Sequence, residues 1–154
     1  MNQIAGTRGA EGEIDCVVLP LANVELLVPS ACIAEVLPWR PPLAASGSPD
    51  WCRGTIDWHG AMVSLVDFER LLGAPARSES GKSIAVINRS RPDAPRPFMA
   101  LVVQGLPRLV QIAEDDLAAD HAAETPGELW LIEVGTERLV VPDLRYLETR
   151  IGEL

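Results

Sequence analysis

Apolar residues in this chain come in short runs separated by turn formers, and the runs are rich in Val, Ile and Leu. They cover 14–21, 25–28, 53–57, 61–66, 82–88, 98–103, 108–112, 129–134 and 138–141. Runs of this length, bounded by Gly, Pro, Asn and Asp, read as strands, and nine of them predict an all-β barrel architecture. The 12 glycines and 13 prolines fall mostly between the runs, as at 38–49, 73–81 and 92–97, where they punctuate turns.

Two segments break the β pattern. Asp67 precedes Phe68-Glu69-Arg70-Leu71-Leu72 and then Gly73, which predicts an N-cap, a turn or two of helix and a glycine stop. Asp143 opens Leu144-Arg145-Tyr146-Leu147-Glu148 in the same way. The acidic, alanine-rich stretch 113–128 predicts a solvated loop with at most a helical turn, ended by Pro126-Gly127. The two capped helices belong to an internal echo: 63–71 (VSLVDFERL) lines up with 139–147 (LVVPDLRYL), and 27–29 matches 101–103 at nearly the same offset. Such a duplication predicts two small β-barrels packed around a shared apolar seam, each half being too small to be stable alone.

Composition narrows what these barrels can do. At 154 residues and 47% hydrophobic, the chain hides roughly 68–70% of its unfolded surface and builds a real core. Its formal charge is -9, from 13 basic and 22 acidic side chains, which excludes the basic patch that nucleic acid or an anionic membrane surface demands. The longest uncharged stretch, 97–107, is well short of the roughly 18 apolar residues that span a bilayer, so no direct membrane insertion is expected. Residues 1–13 lack an apolar h-region and read as a disordered lead-in, leaving 14–154 as a single cytoplasmic domain. In that reducing compartment the odd set Cys16, Cys32 and Cys52 reads as small buried apolar residues.

The search for chemistry finds little. No Gly-rich phosphate loop, HExxH or CxxC is present, and Cys32, Cys52, His59 and His121 match no common zinc spacing, so neither a metal nor a cofactor is expected. A Cys52–His59 nucleophilic pair would need the two to converge across a strand. Asp115 and Asp116, adjacent in sequence, face apart on any regular element and read as solvated. Four of the aromatic residues are Trp. Trp58 and Trp130 lie within strand runs and read as barrel core, whereas Trp39 and Trp51 flank the proline-rich loop and read equally as core or as interface anchors.

The distinctive stretch is 51–68, WCRGTIDWHGAMVSLVDF: a glycine, a short strand, a tight turn ending in glycine, a second strand and an Asp-capped helix. This pattern resembles the central signature of CheW-like domains, G-x-x-N-L-R-G-x-x-V-P-h-h-D-h, with h apolar. Gly54, Gly60, Val63, Leu65, Val66, Asp67 and Phe68 fit it. The resemblance runs from about Ile14 to Leu147: Leu26-Leu27-Val28-Pro29 and Cys32 to Leu37 resemble the family's upstream stretch, with Glu35 on its glutamate. Ser83 to Asn88, Met99 to Gly105 and Leu139 to Leu147 resemble its later strands. The departures are His59 for the arginine, Asp57-Trp58 for Asn-Leu, Ser64 for the proline and Gln104 for a common aspartate. An imidazole lacks the arginine's planar, permanently charged fork. Together with the tryptophans, these departures resemble the divergent ChpC-like or PilI-like adaptors of pilus-associated (twitching-type) chemosensory systems.

The resemblance implies a mainly β fold of two five-stranded, SH3-like barrels on a shared core, with no enzymatic activity. It implies an adaptor that couples the cytoplasmic tip of a chemoreceptor to a CheA-type histidine kinase. The receptor-side candidates are Ile33, Glu35, Gly54, Asp57, His59 and Gly60. For the kinase side it points to the corner Val103, Gln104, Gly105 and Leu106. Trp39 and Trp51 are the candidate aromatic anchors. Two rival readings stand beside it: a ligand-binding barrel that uses Glu35, Asp57 and His59 in a cleft, and a peptide-binding barrel with a tryptophan-lined groove.

Overall fold

The computed structural model describes residues 12–44, 46–75, 80–113, 121–123 and 125–154. Each of the nine apolar runs forms a strand. In chain order these are β1 (Glu13–Pro20), β2 (Glu25–Pro29), β4 (Cys52–Trp58), β5 (Ala61–Val66), β6 (Ser83–Asn88), β7 (Phe98–Val103), β8 (Arg108–Ala113), β10 (Glu128–Val134) and β11 (Glu137–Pro142). Two further strands lie outside the runs. β3 (Ile33–Pro38) has Glu35 in mid-strand and is exposed along much of its length, so it lacks the apolar density of the others. β9 (His121–Ala122) is a two-residue strand within the acidic stretch, half of which lies outside the described residues. The expected lead-in also falls largely outside them, and Glu13 already belongs to β1 because the β8 ladder extends to pair it with Ala113.

The helices form where the aspartates predict. Asp67 accepts from the backbone N–H of Arg70 and opens α1 (Phe68–Leu71), and Asp143 accepts from Tyr146 N–H and opens α2 (Leu144–Gly152). Both caps satisfy an amide that the first helical turn leaves unpaired.

The strands make two sheets, ordered β8-β1-β2-β11-β10-β9 and β3-β6-β7-β5-β4. Each contains one parallel pair, β2 with β11 and β7 with β5, flanked by antiparallel hairpins. The echo in the sequence explains this. If β1-β2-β3-β4-β5-α1 is one repeat and β6-β7-β8-β10-β11-α2 the other, both sheets have the same order. Leaving aside the two-residue β9, each sheet holds the first two strands of one repeat (β1-β2 or β6-β7) and the last three of the other (β8, β11, β10 or β3, β5, β4). The repeats have exchanged strands, so neither sheet is the property of one half of the chain.

The core follows from that exchange. Val17, Leu19, Leu26 and Val28 of the first sheet meet Ala85, Ile87, Met99, Leu101 and Val103 of the second in one cluster, closed by Phe68 of α1 and by Leu147 and Ile151 of α2. The alternate residues of the same strands point the other way. Cys16, Val18 and Leu27 fill the interior of the first sheet with Ile112, Ile132 and Leu139. Ile84, Ala100 and Val102 fill the second with Ile56, Val63 and Leu65. Strands β1, β2, β6 and β7 are therefore buried on both faces, which is why their sequences are nearly continuous apolar runs. Burial pushes the Cys16 thiol up to about 11, helped by the nearby Asp15 charge, so Cys16 is an inert core residue. Cys32 and Cys52 are only half-buried.

One glutamate on each helix ties the sheets together. Glu69 of α1 accepts from Ala22 N–H at 2.9 Å and Asn23 N–H at 2.6 Å, holding the β1–β2 turn. Glu148 of α2, 5% exposed, accepts from Ser90 N–H at 2.5 Å and Ser90 Oγ at 2.8 Å, and Arg91 Nε lies 3.4 Å away. Each helix thus satisfies the backbone of a hairpin loop from the opposite sheet. Replacing the buried Glu148 by Ala removes the acceptor from these part-buried donors and opens space, and should cost about 1–3 kcal/mol. Urea denaturation checks this: the midpoint should fall with an unchanged slope.

Candidate partner-binding surfaces

The β4–β5 hairpin turns through His59 (φ 50°) and Gly60 (φ 83°), the two positive-φ positions of a type I′ turn, and Asp57 Oδ1 accepts from Gly60 N–H at 3.0 Å. Glu35 lies on β3, at the opposite edge of the same sheet. Its Oε1 nevertheless accepts from Trp58 Nε1 at 2.9 Å and lies 3.2 Å from His59 Nε2. The sheet must therefore curl until its edges meet, and Arg40, which donates to the Asp57 carbonyl, adds a second clasp. Trp58 packs edge-on against Phe98, with centroids 4.7 Å apart, and so closes this end of the barrel. The Trp58 hydrogen bond, followed by that from His59, holds the Glu35 carboxyl below its ordinary range.

The receptor-side candidates divide. Glu35, Asp57, His59 and Gly60 gather at this exposed tip. Ile33 packs against the central seam instead. Gly54 is buried with φ 124°, and a Cβ there would stand 2.3 Å from the Leu43 carbonyl oxygen. It serves a backbone crossing and cannot present a surface to a partner.

The second candidate set is corrected in part. Val103 is fully buried in the seam, because β7 is covered on both faces. Gln104 N–H bonds to the Pro20 carbonyl at 2.8 Å, and Leu106 projects from the corner at 88% exposure. Gln104, Gly105 and Leu106 share an open groove of about 570 Å³ with Val36, Leu37 and Pro38 of β3. The corner and β3, expected to serve different partners, therefore line one surface.

The tryptophans are rearranged as well. Of the two readings open for Trp51, the structure has the core one: it is 6% exposed in the seam, with the Arg150 guanidinium 5.4 Å above its ring. Trp39 is half-buried and packs with the second sheet's interior, with Arg53 5.9 Å over the ring. Trp130, expected in the core, is 44% exposed.

The duplication explains Trp130. Asp143 follows Asp67 by 76 positions, and the same interval separates Gly54 from Trp130 and Leu65 from Val141; both Gly54–Leu65 and Trp130–Val141 are strand pairs beside a bulge. At Gly54 the missing side chain lets Leu43 cross the end of the barrel. At Trp130 the indole occupies that place, and an apolar cavity of about 400 Å³ opens among Ile14, Leu27, Ile112, Leu129, Trp130 and Ile132. The sequence reading missed this mouth. Its signal was the replacement of a glycine by a tryptophan between the two repeats.

Among the described residues, no three His, Cys, Asp or Glu side chains gather to hold a metal, and no helix is long and apolar enough to cross a membrane. Neither the groove beside β3 nor the mouth at Trp130 is lined by Glu35, Asp57 or His59. Trp51, being buried, does not line a surface groove.

The Glu35–Trp58 bond gives a direct test. The Trp58 indole N–H resonance should titrate with a midpoint below the ordinary carboxylate value of 4.5, because the charged form is the better acceptor. The bond is complete above that range and lost as pH falls through the lowered pKa. Substitution Glu35→Gln should abolish the titration, and a midpoint at or above the ordinary value would contradict the bond.

Comparison with known proteins places this geometry. The family model described as "CheW-like domain" matches residues 15–143. Among solved structures, the scaffolding protein TtCheW from Thermoanaerobacter tengcongensis superposes with a TM-score of 0.70 at 16% sequence identity, covering 85% of this chain and 89% of that one. No curated protein sequence matches the chain. The family match spans both sheets and the turns between them, and the chain belongs to the CheW-like domain family.

Proposed function

We propose that this chain is a non-enzymatic adaptor of a chemosensory complex, coupling the cytoplasmic tip of a chemoreceptor to the regulatory domain of a CheA-type histidine kinase. The observation that carries this reading is the pairing of two separate exposed apolar surfaces on one domain. One is the mouth at Ile14, Leu129 and Trp130; the other is the groove between β3 and the 104–107 corner. Exposed apolar patches on a soluble domain mark protein contacts, and an adaptor needs two. The solved relative is itself titled a scaffolding protein. With such partners the chain works in the cytoplasm.

The tip formed by Glu35, Trp58, His59 and Gly60 adjoins the β3 groove and supports the receptor contact. Trp58-His59, standing where the family usually has Leu-Arg, supports membership of the pilus-associated branch. On the kinase side the mouth around Trp130 is the better candidate: it is apolar, concave and rimmed by an exposed indole.

Two measurements test the reading. The purified chain should bind the regulatory domain of a CheA-type kinase, and Trp130→Ala should weaken that complex about tenfold or more with an unchanged melting temperature. No complex at concentrations on the order of 100 μM would overturn the assignment. For the receptor tip, Glu35→Lys should weaken binding and His59→Arg should strengthen it severalfold. Equal affinities in a titration of all three proteins would remove the hairpin tip from the interface.

A further inference from the structure

Along β3, the strand and the 104–107 corner leave an open groove of about 570 Å³. Val36 and Leu106 stand in it at 39% and 88% exposure, and Leu37, Pro38 and Pro107 extend its apolar wall. Large aliphatic side chains exposed together on one concave surface mark a contact with another molecule. β3 is the end strand of its sheet, but the bonds from Trp58 to Glu35 and from Arg40 to the Asp57 carbonyl hold it against the β4–β5 hairpin. Recognition therefore falls to the side chains of the groove and not to an added strand.

Lys82 is the one charged residue among those that line this groove. Its side chain is exposed, and its ammonium makes no hydrogen bond or ion pair within the described residues. The formal charge of the chain is -9, so a cation that faces an apolar groove without a carboxylate is open to pairing with an acidic group from outside. Its place along the groove is fixed by the β3–β6 ladder. Val36 pairs with Ala85 and Pro38 with Ser83, and Lys82 lies one position further on. At about 3.3 Å per residue, the Lys82 position is roughly 10 Å from Val36, a distance of about two turns on a helix.

We infer that the groove receives an amphipathic helix whose apolar stripe covers Val36 and Leu106, and that Lys82 selects it by pairing with a carboxylate about two turns from the residue over Val36. A helix with a basic residue at that point meets repulsion, and one docked in reverse loses the pair, so Lys82 sets both partner and orientation. A second copy docked face to face would bring the two Lys82 ammonium groups toward one another across the two-fold axis, and the occupant is accordingly a different chain. That the helix belongs to the chemoreceptor tip rests on the adaptor reading; its chemistry does not.

The test uses the full chain labelled with ¹⁵N and two peptides of about 18 residues, long enough to hold a helix. They share one leucine stripe and differ only in carrying Glu or Lys two turns from its central leucine. The Glu peptide should shift the amides of Val36, Leu37, Lys82 and Leu106 and bind about fivefold tighter than the Lys peptide, a preference that added salt reduces. Lys82→Glu should reverse the order of the two. Equal affinities for the native chain, an unchanged order with Lys82→Glu, shifts confined to other faces, or no shift at about 1 mM peptide would overturn the role of Lys82. A chemoreceptor-tip fragment separates the two readings. If the tip binds and Lys82→Glu leaves its affinity unchanged, the Lys82 pairing falls and the adaptor stands; if the peptides rank as expected and the tip does not bind, the receptor assignment falls alone.

Discussion

The apolar seam between the two sheets is the constraint on which the rest of the structure depends. It exists because the repeats trade strands: β1 and β2 complete a sheet whose remaining strands come from the second repeat, and β6 and β7 do the reverse. A strand buried on both faces has no solvent side, so Val17, Leu19, Met99 and Leu101 on one face and Val18, Leu27, Ala100 and Val102 on the other must be apolar together. Removing one sheet would expose an entire face of the other, and the two are bound to fold as a unit. The glutamates on α1 and α2 act within this arrangement, satisfying loop amides that the seam brings against the helix ends.

With the four central strands committed to the interior, the surface available for recognition lies at the sheet edges and the barrel ends. The two barrels treat those ends differently. In the second, Trp58 with Phe98 closes one end, and the Leu43 crossing over Gly54 covers the other. In the first, Arg108 pairs with Glu25 at 3.2 Å and with Glu137, while the opposite end remains open at Trp130. The asymmetry arises from few residues, and it gives a duplicated fold two distinct faces. The proposed adaptor role, joining two different partners, would use that distinction.

The family match and the surfaces support each other from different residues. The hairpin at 52–66 identifies the family because a two-residue turn through His59 and Gly60 and a glycine at the Leu43 crossing are geometric requirements that leave a fixed spacing in the sequence. The proposed docking surfaces carry no such fixed spacing. They are made of Ile14, Val36, Leu106, Leu129 and Trp130, residues far apart in the chain and unremarkable singly.

The sequence by itself determined nine of the eleven strands, both Asp caps, the tight hairpin turn and the duplication, because each is a local matter of periodicity, capping and backbone sterics. It also determined the family, through the hairpin spacing. Only the tertiary structure decided which tryptophans are buried, since an indole in a strand run faces inward or outward according to the strand that pairs with it and what crosses above. Trp51, which the sequence left open between core and interface, is buried, and Trp130, expected in the core, is exposed for that reason. It also decided that Val103 is core while Leu106 is surface, and that Glu35 reaches Trp58 across the whole width of a sheet. Burial on two faces erases the alternation that reveals orientation, and the curl that joins two sheet edges is a long-range property that no window of neighbouring residues contains.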